Sequence, residues 1–271
     1  MPFTARHWEE LTRDGYTVVS GAIDGRTLRS AQDAANHLDA VFPDEGWERS
    51  RNESWREIRH CRHPAFMAVV KQALDPLVLE ILESAPTVDF VQFASTLPGF
   101  ATQGGVGRHF HVDGGKDQLI DVFNVLLGVA LTAVSSDTAG GYHVLPGSHD
   151  RLAATFKRQP EDPSLHWGRL KLDFQREALA GARMVVPRLM PGDIVVAHSL
   201  LSHGTSANTT GVRRDMLFQR RAAAPLRDPT TRSQERLAFM RNPWKFFRLP
   251  RLQSGLDTSV LSTSDTGIGL L

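Results

Sequence analysis

PGDIVVAHSLLSHGTSANTTGVRRDMLFQRR, residues 191–221, reads as two β-strands flanking a polar loop. GDIVVAHS is an apolar, β-branched run introduced by a Pro-Gly turn signal, and VRRDMLFQRR is a strand by composition. In the second run, period two places Arg214, Met216, Phe218 and Arg220 on one face. Arg213, Asp215, Leu217, Gln219 and Arg221 fall on the other. The first face is the more apolar and is the expected interior face. A guanidinium at Arg214 would be costly there unless it met a carboxylate. The loop between the strands adds His198 and His203, and Asp193 is expected to fix the turn before the first strand.

Working outward, VDFVQFAS, VGRHFHVD, IDVFNVLLGVALTAV, GYHVLPG and ARMVVP are further β-rich runs, separated by Gly, Pro, Asp and Ser. Many short strands in one unit indicate a sandwich or barrel. The first 85 residues read as mainly helical. ARHWEELTRDG is a short helix ended by Gly15, and YTVVSGAI is a short strand. Leu28, Ala31, Ala35 and Leu38 recur at helical spacing from about Asp24 to Leu38. Another helix is expected from Pro64, broken or kinked at Pro76 and continuing to about Ser84. Residues 150–182 form a polar insertion with a helix, and the chain ends in a Ser/Thr/Gly-rich tail. No repeat or interdomain linker is visible, so residues 1–271 are expected to form one domain. Its parts are a helical N-terminal region (about 1–85), a β core (about 86–222) and a C-terminal extension (about 223–271).

The balance of 31 basic and 30 acidic residues gives a net charge of +1, which offers no global field for nucleic acid or an anionic membrane. No apolar run is long enough to span a bilayer, and the N-terminal MPFTARHWEELTRDGY lacks the apolar centre of a signal peptide. The single Cys61 excludes an internal disulfide and any Cys-rich zinc cluster. These features predict a cytoplasmic protein that binds neither nucleic acid nor membrane; oligomeric state is not readable.

GVGRHFHVDGG, residues 105–115, carries His109, His111 and Asp113 at alternate positions, hence on one side of a strand. A second His-x-Asp triplet, His37-Leu38-Asp39, lies in a helical stretch where the two side chains would diverge. Two histidines and one carboxylate on one face of an iron, with the other positions open, is the arrangement of non-haem Fe(II) oxygenases. His111 and Asp113 from a strand, plus a distant His203, supply such a set.

HVDG, GGYHVLPGSH (residues 140–149) and PGDIVVAHSLLSHGTSANTTGVRR (residues 191–214), in this order, resemble the three motifs of the phytanoyl-CoA dioxygenase (PhyH) family of Fe(II)/2-oxoglutarate-dependent oxygenases. The resemblance runs from about Tyr16 to Arg221. It implies a mainly β fold with flanking helices, the double-stranded β-helix (jelly-roll, cupin-like). It implies Fe(II), 2-oxoglutarate and O2 as cofactor and co-substrates, with His111, Asp113 and His203 as metal ligands and catalytic residues. It further implies that Thr205 and Arg214 bind the distal carboxylate of 2-oxoglutarate.

Other residues have plainer readings. His198 precedes a strand end, and the family often has a non-ligand histidine there. His109 is expected to line the pocket or to support its ligands. His143, Pro146, Gly147 and His149 belong to a segment that is mostly structural in the family. Gly114 and Gly115 end a strand or leave room for a ligand. WERSRNESWREIRHCRH, residues 47–63, is a solvated face or else a substrate cover, with Arg51 and Arg56 as anion contacts.

The resemblance implies oxidation of an unactivated C–H bond coupled to decarboxylation of 2-oxoglutarate to succinate and CO2. Hydroxylation is the expected outcome, with desaturation, cyclisation or epimerisation as alternatives using the same ligands. Halogenating relatives lack the ligand carboxylate, and Asp113 is present. A catalytically silent binding protein is disfavoured because no ligand is missing, and a cupin-like storage protein would need no Thr205–Arg214 anchor.

Overall fold

The computed structural model describes residues 3–41, 48–49, 54–101, 110–113, 122–158 and 183–250. Helix α1 (Ala5–Asp14) starts at Thr4, whose side chain accepts from the His7 N–H, and stops at Gly15, φ 81°. Glycine is required at this position twice over. The left-handed backbone disfavours a side chain, and a Cβ would fall 2.6 Å from the His149 ring. The chain reverses there into β1 (Tyr16–Val19) and then α2 (Gly25–Ala40), capped by Asp24, which accepts from the N–H groups of Arg26 and Thr27.

The helix from Pro64, expected to break or kink at Pro76, continues through an irregular turn just before it. It runs as α3 (Pro64–Val69), one π-helical turn (Val70–Leu74) and α4 (Asp75–Ile81). The wider turn directly before Pro76 accommodates a residue that has no N–H and crowds the preceding carbonyls. The helix ends at Ile81 rather than near Ser84.

Seven strands form one antiparallel sheet in the order β1-β7-β5-β9-β4-β3-β2. Its remaining members are β2 (Glu48–Arg49), β3 (Trp55–Cys61), β4 (Val91–Thr96), β5 (Val125–Ala130), β7 (Ile194–His198) and β9 (Arg214–Arg221). A smaller sheet pairs β6 (Tyr142–Val144) with β8 (His203–Thr205). Isolated bridges widen it: His111 pairs with His203 on one side and Val144 with Val185 on the other. Side chains cross between the sheets, as where Tyr142 and Phe218 meet with ring centroids 6.1 Å apart. This is the expected jelly-roll, mostly antiparallel with a few helices outside it.

Two readings need refinement. The N-terminal 85 residues are mainly helical, as expected, but β2 and β3 join the expected β1 in the larger sheet. β3 lies within the Arg/Trp stretch, whose charges conceal any apolar alternation. The other is that β9 has no exposed face. Leu217, Gln219 and Arg221 are as buried as Arg214 and Met216. Arg221 reaches Asp75 of α4 at 2.6 Å and the Pro86 carbonyl at 3.0 Å. Arg213 binds Asp215, and it also pairs with Asp39 and Asn36 of α2. The helices cover the side that would otherwise meet water.

Helix α5 (Ser148–Arg158) opens the insertion, and the rest of the insertion lies outside the described residues. The C-terminal extension contributes α6 (Ala224–Arg227) and α7 (Arg232–Arg241). Among the described residues, no helix is long and apolar enough to cross a membrane.

Candidate active site

The backbone pairing of His111 with His203 builds the centre of the site. Each N–H donates to the other's carbonyl at 2.8 Å, and the rings lie 4.5 Å apart. Residues directly opposite in an antiparallel pair project to the same side, so remote histidines become neighbours. Asp113, two residues on, returns to that side as period two requires. Its Oδ1 is 3.3 Å from His111 Nε2, and its Oδ2 is 3.6 Å from His203 Nε2. One ligand atom from each of the three lies within 4.8 Å of the others. His203 Nδ1 donates to the Leu201 carbonyl at 2.9 Å, so the lone pair of its Nε2 faces Asp113.

Burial would raise the Asp113 carboxyl, but His203, His111 and Arg220 outweigh it and hold the group well below its ordinary range. Burial lowers His203, favouring the neutral form that a metal needs. Arg220 grips Asp113 Oδ2 through Nε at 2.8 Å and Nη2 at 2.7 Å, and its Nη1 donates to Gln92 at 2.9 Å. Sequence reasoning placed Arg220 on the interior face but assigned it no part in the site. Its spacing from Arg214 and Phe218 was the available signal.

Arg214 is fully buried, donating from Nε to the Gly140 carbonyl and from Nη2 to Thr96 Oγ1. Its Nη1 has no hydrogen-bond partner among the described residues. Burial brings its pKa down to about 10, and the guanidinium lies 5.6 Å from the Trp55 ring. A buried cation with an orphaned donor is costly, and a ligand carboxylate would satisfy it. Thr205, half-buried on β8, stands opposite Tyr142 of β6, two residues from Gly140. Donor set and orphaned nitrogen thus fit a divalent metal and a dicarboxylate.

A cleft of about 890 Å³ opens beside His111 and Asp113. Trp55, Phe90, Phe123 and Phe218 give it apolar walls, and Arg59 and Arg220 add charge. The described part of residues 47–63 therefore does border the site, but through Trp55, Glu57, Arg59 and His60. Arg56, offered above as an anion contact, pairs instead with Asp39 at 2.7 Å. Arg51, His109, Gly114 and Gly115 lie outside the described residues.

His198 stands apart from the cluster. Its Nε2 donates to the Pro243 carbonyl at 2.9 Å, and its Nδ1 accepts from the Leu200 N–H at 3.1 Å. The rings of Trp244, Phe247 and Phe239 surround it at 4.8, 5.5 and 6.0 Å. With both nitrogens engaged, it has no lone pair for a metal. His143 stacks on Phe110 at 4.3 Å, and His149 packs beneath Gly15 with Nε2 3.2 Å from the Thr12 carbonyl. Gly147 has φ 74°, as expected of a turn. Asp193 accepts from the Met190 N–H at 2.8 Å and the Gly21 N–H at 3.3 Å, fixing its turn and tying it to β1.

Burial, aided by His149, lowers the His198 pKa to about 3. The unfolded chain protonates this group at about 6.5, and in the window between, it binds a proton that the folded chain does not. Stability should therefore fall as pH drops from about 6.5 toward 3, by up to about 1.4 kcal/mol per unit from this group. Urea midpoints measured at intervals between pH 7 and 4 should decline in the native protein and decline less in His198→Gln. Parallel curves for the two proteins would remove His198 from the account.

Fold, His-Asp-His cluster and buried cation together define an iron- and 2-oxoglutarate-dependent oxygenase. The sequence matches the phytanoyl-CoA dioxygenase (PhyH) family over residues 11–216, and the chain belongs to that family. Its fold is similar to that of the non-haem α-ketoglutarate-dependent carbocyclase SnoK from nogalamycin biosynthesis, with a TM-score of 0.61 and 16% identity over 82% of this chain and 85% of that one. It is also similar to EctD from S. alaskensis with bound Fe, with a TM-score of 0.59 and 20% identity over 81% and 76% of the two chains. HygX from Streptomyces hygroscopicus, with nickel, 2-oxoglutarate and hygromycin B bound, gives a TM-score of 0.53 and 15% identity over 82% and 88%. No curated protein sequence matches the chain.

Proposed function

We propose that His111, Asp113 and His203 hold Fe(II), that Arg214 and Thr205 bind the distal carboxylate of 2-oxoglutarate, and that the enzyme hydroxylates an unactivated C–H bond of a small molecule. The carrying observation is a pair of unmet needs. Three ligand atoms converge within 4.8 Å, and the orphaned Nη1 of Arg214 lies inside the same barrel. Iron held there would activate O2, with 2-oxoglutarate giving up two electrons as it is oxidatively decarboxylated to succinate and CO2 and the substrate C–H bond giving up the other two.

The protein's residues supply geometry and environment. Arg220, on Asp113 Oδ2, fixes the carboxylate's orientation. Leu201 fixes the His203 tautomer. Trp55, Phe123 and Phe218 present apolar walls that can hold a substrate's hydrocarbon part.

Succinate release is the measurement that tests this reading. Protein loaded anaerobically with Fe(II) and then given O2 and 2-oxoglutarate should form succinate, accelerated by a true substrate from a small-molecule panel. The product should be heavier by one oxygen, and added chloride should not appear in it, because Asp113 occupies the position a halide would need. A product lighter by two hydrogens would replace hydroxylation with desaturation or cyclisation, and a chlorinated product would overturn the assignment.

A further inference from the structure

Tyr142 begins β6, directly opposite Thr205 and diagonal to His203. Opposite and diagonal residues in an antiparallel pair share a face, so the phenol projects toward the interior with both. The ring lies 5.1 Å from the His203 ring and 6.1 Å from the Phe218 ring. The residue is buried, and its hydroxyl has no hydrogen-bond partner among the described residues. A buried phenol without a partner is unfavourable, and Tyr is poorly chosen over Phe at such a position unless something uses its hydroxyl.

The strand that carries Tyr142 also approaches Arg214, since Gly140, two residues earlier, accepts from Arg214 Nε. Two buried donors without acceptors among the described residues, Arg214 Nη1 and Tyr142 Oη, are thus anchored to one short segment. Thr205 stands across the pair from Tyr142.

We infer that the Tyr142 hydroxyl donates a hydrogen bond to the distal carboxylate of 2-oxoglutarate, as a third protein contact beside Arg214 and Thr205. The inference rests on the reading of the site as an iron and 2-oxoglutarate centre. It adds a co-substrate contact that the interior-face pattern and the metal motif did not indicate. The phenol faces the interior from the smaller sheet, whereas Arg214 reaches in from the larger one. The carboxylate would be held from both walls of the barrel.

The test compares two 2-oxo acids bound to the anaerobic Fe(II) protein, following the charge-transfer absorbance of the chelate. 2-Oxoglutarate carries the distal carboxylate, and 2-oxopentanoate has the same carbon chain without it. Tyr142→Phe keeps the ring and removes only the hydroxyl, and a thermal melt reports whether the fold is intact. The variant should bind 2-oxoglutarate at least about fivefold more weakly than the native protein, as expected for a lost hydrogen bond to a charged group. Its affinity for 2-oxopentanoate should stay within about twofold, a shift below that of an ordinary hydrogen bond. A smaller loss for 2-oxoglutarate, or an equal loss for both acids, overturns the inference and leaves the active-site reading standing. Absence of the chelate band in the native protein would overturn that reading, and the Tyr142 contact with it.

Discussion

His203→Ala and His111→Ala should each abolish Fe(II) binding and succinate formation, whereas His198→Ala should retain the metal and lose stability. The two candidate histidines near residue 200 differ in what their ring nitrogens already do. His203 uses Nδ1 on the Leu201 carbonyl and directs Nε2 toward Asp113. His198 uses both nitrogens on backbone groups inside an aromatic shell. Even losing a residue that only supports a metal ligand commonly lowers affinity 10- to 100-fold, so deleting one of three ligands should exceed roughly 100-fold. Metal analysis after dialysis against Fe(II) under nitrogen measures this directly. For His198→Ala, the cavity and the orphaned Pro243 and Leu200 groups should cost about 2–4 kcal/mol, read from the urea midpoint. Iron retained by His203→Ala but lost by His198→Ala would reverse the assignment of the distal ligand.

The second large effect is expected at Arg214. Arg214→Ala should weaken 2-oxoglutarate binding roughly 30-fold or more, because truncating one partner of a buried, charged contact typically costs about 2–5 kcal/mol. Arg213→Ala should change that affinity by less than about threefold, a shift in the range of a peripheral ion pair. Its insensitivity does not come from exposure, however. Arg213 is held by Asp215, Asp39 and Asn36 at the α2 side of the sheet. Removing it should lower stability while sparing the co-substrate. Anaerobic titration of 2-oxoglutarate and a parallel denaturation curve separate the two effects. If Arg213→Ala proved the more damaging to 2-oxoglutarate affinity, the inward face of β9 would be one residue out of register.

The period-two reading of β9 succeeded because strand alternation is a local property. It survived although both faces are buried, since the charged residues on each face find different partners. The same reasoning failed on β3. WREIRHC pairs with β4 through Trp55↔Thr96 to Ile58↔Phe93, yet its charges interrupt the apolar signal. Its acceptance into the sheet depends on pairing, and pairing with β4 is a long-range event. Arg56 was misjudged for the same reason. Its partner Asp39 lies in the His-Leu-Asp triplet of α2 and holds two arginines, Arg56 and Arg213.

Local physics in the chain alone determined the strand-rich core, the helix stop at Gly15, and the side-by-side placement of His111 and Asp113. These follow from backbone periods and from glycine's freedom at positive φ. The motif order was enough to indicate the family as well. Only the tertiary structure set His203 against His111 and sent His198 into an aromatic shell, because strand register and shell closure depend on residues far apart in sequence. Long-range pairing also carried Arg220 to Asp113, and it left Arg214 Nη1 and Tyr142 Oη as buried donors without acceptors among the described residues. No local pattern marks an unsatisfied group, since being unsatisfied is a property of everything packed around it.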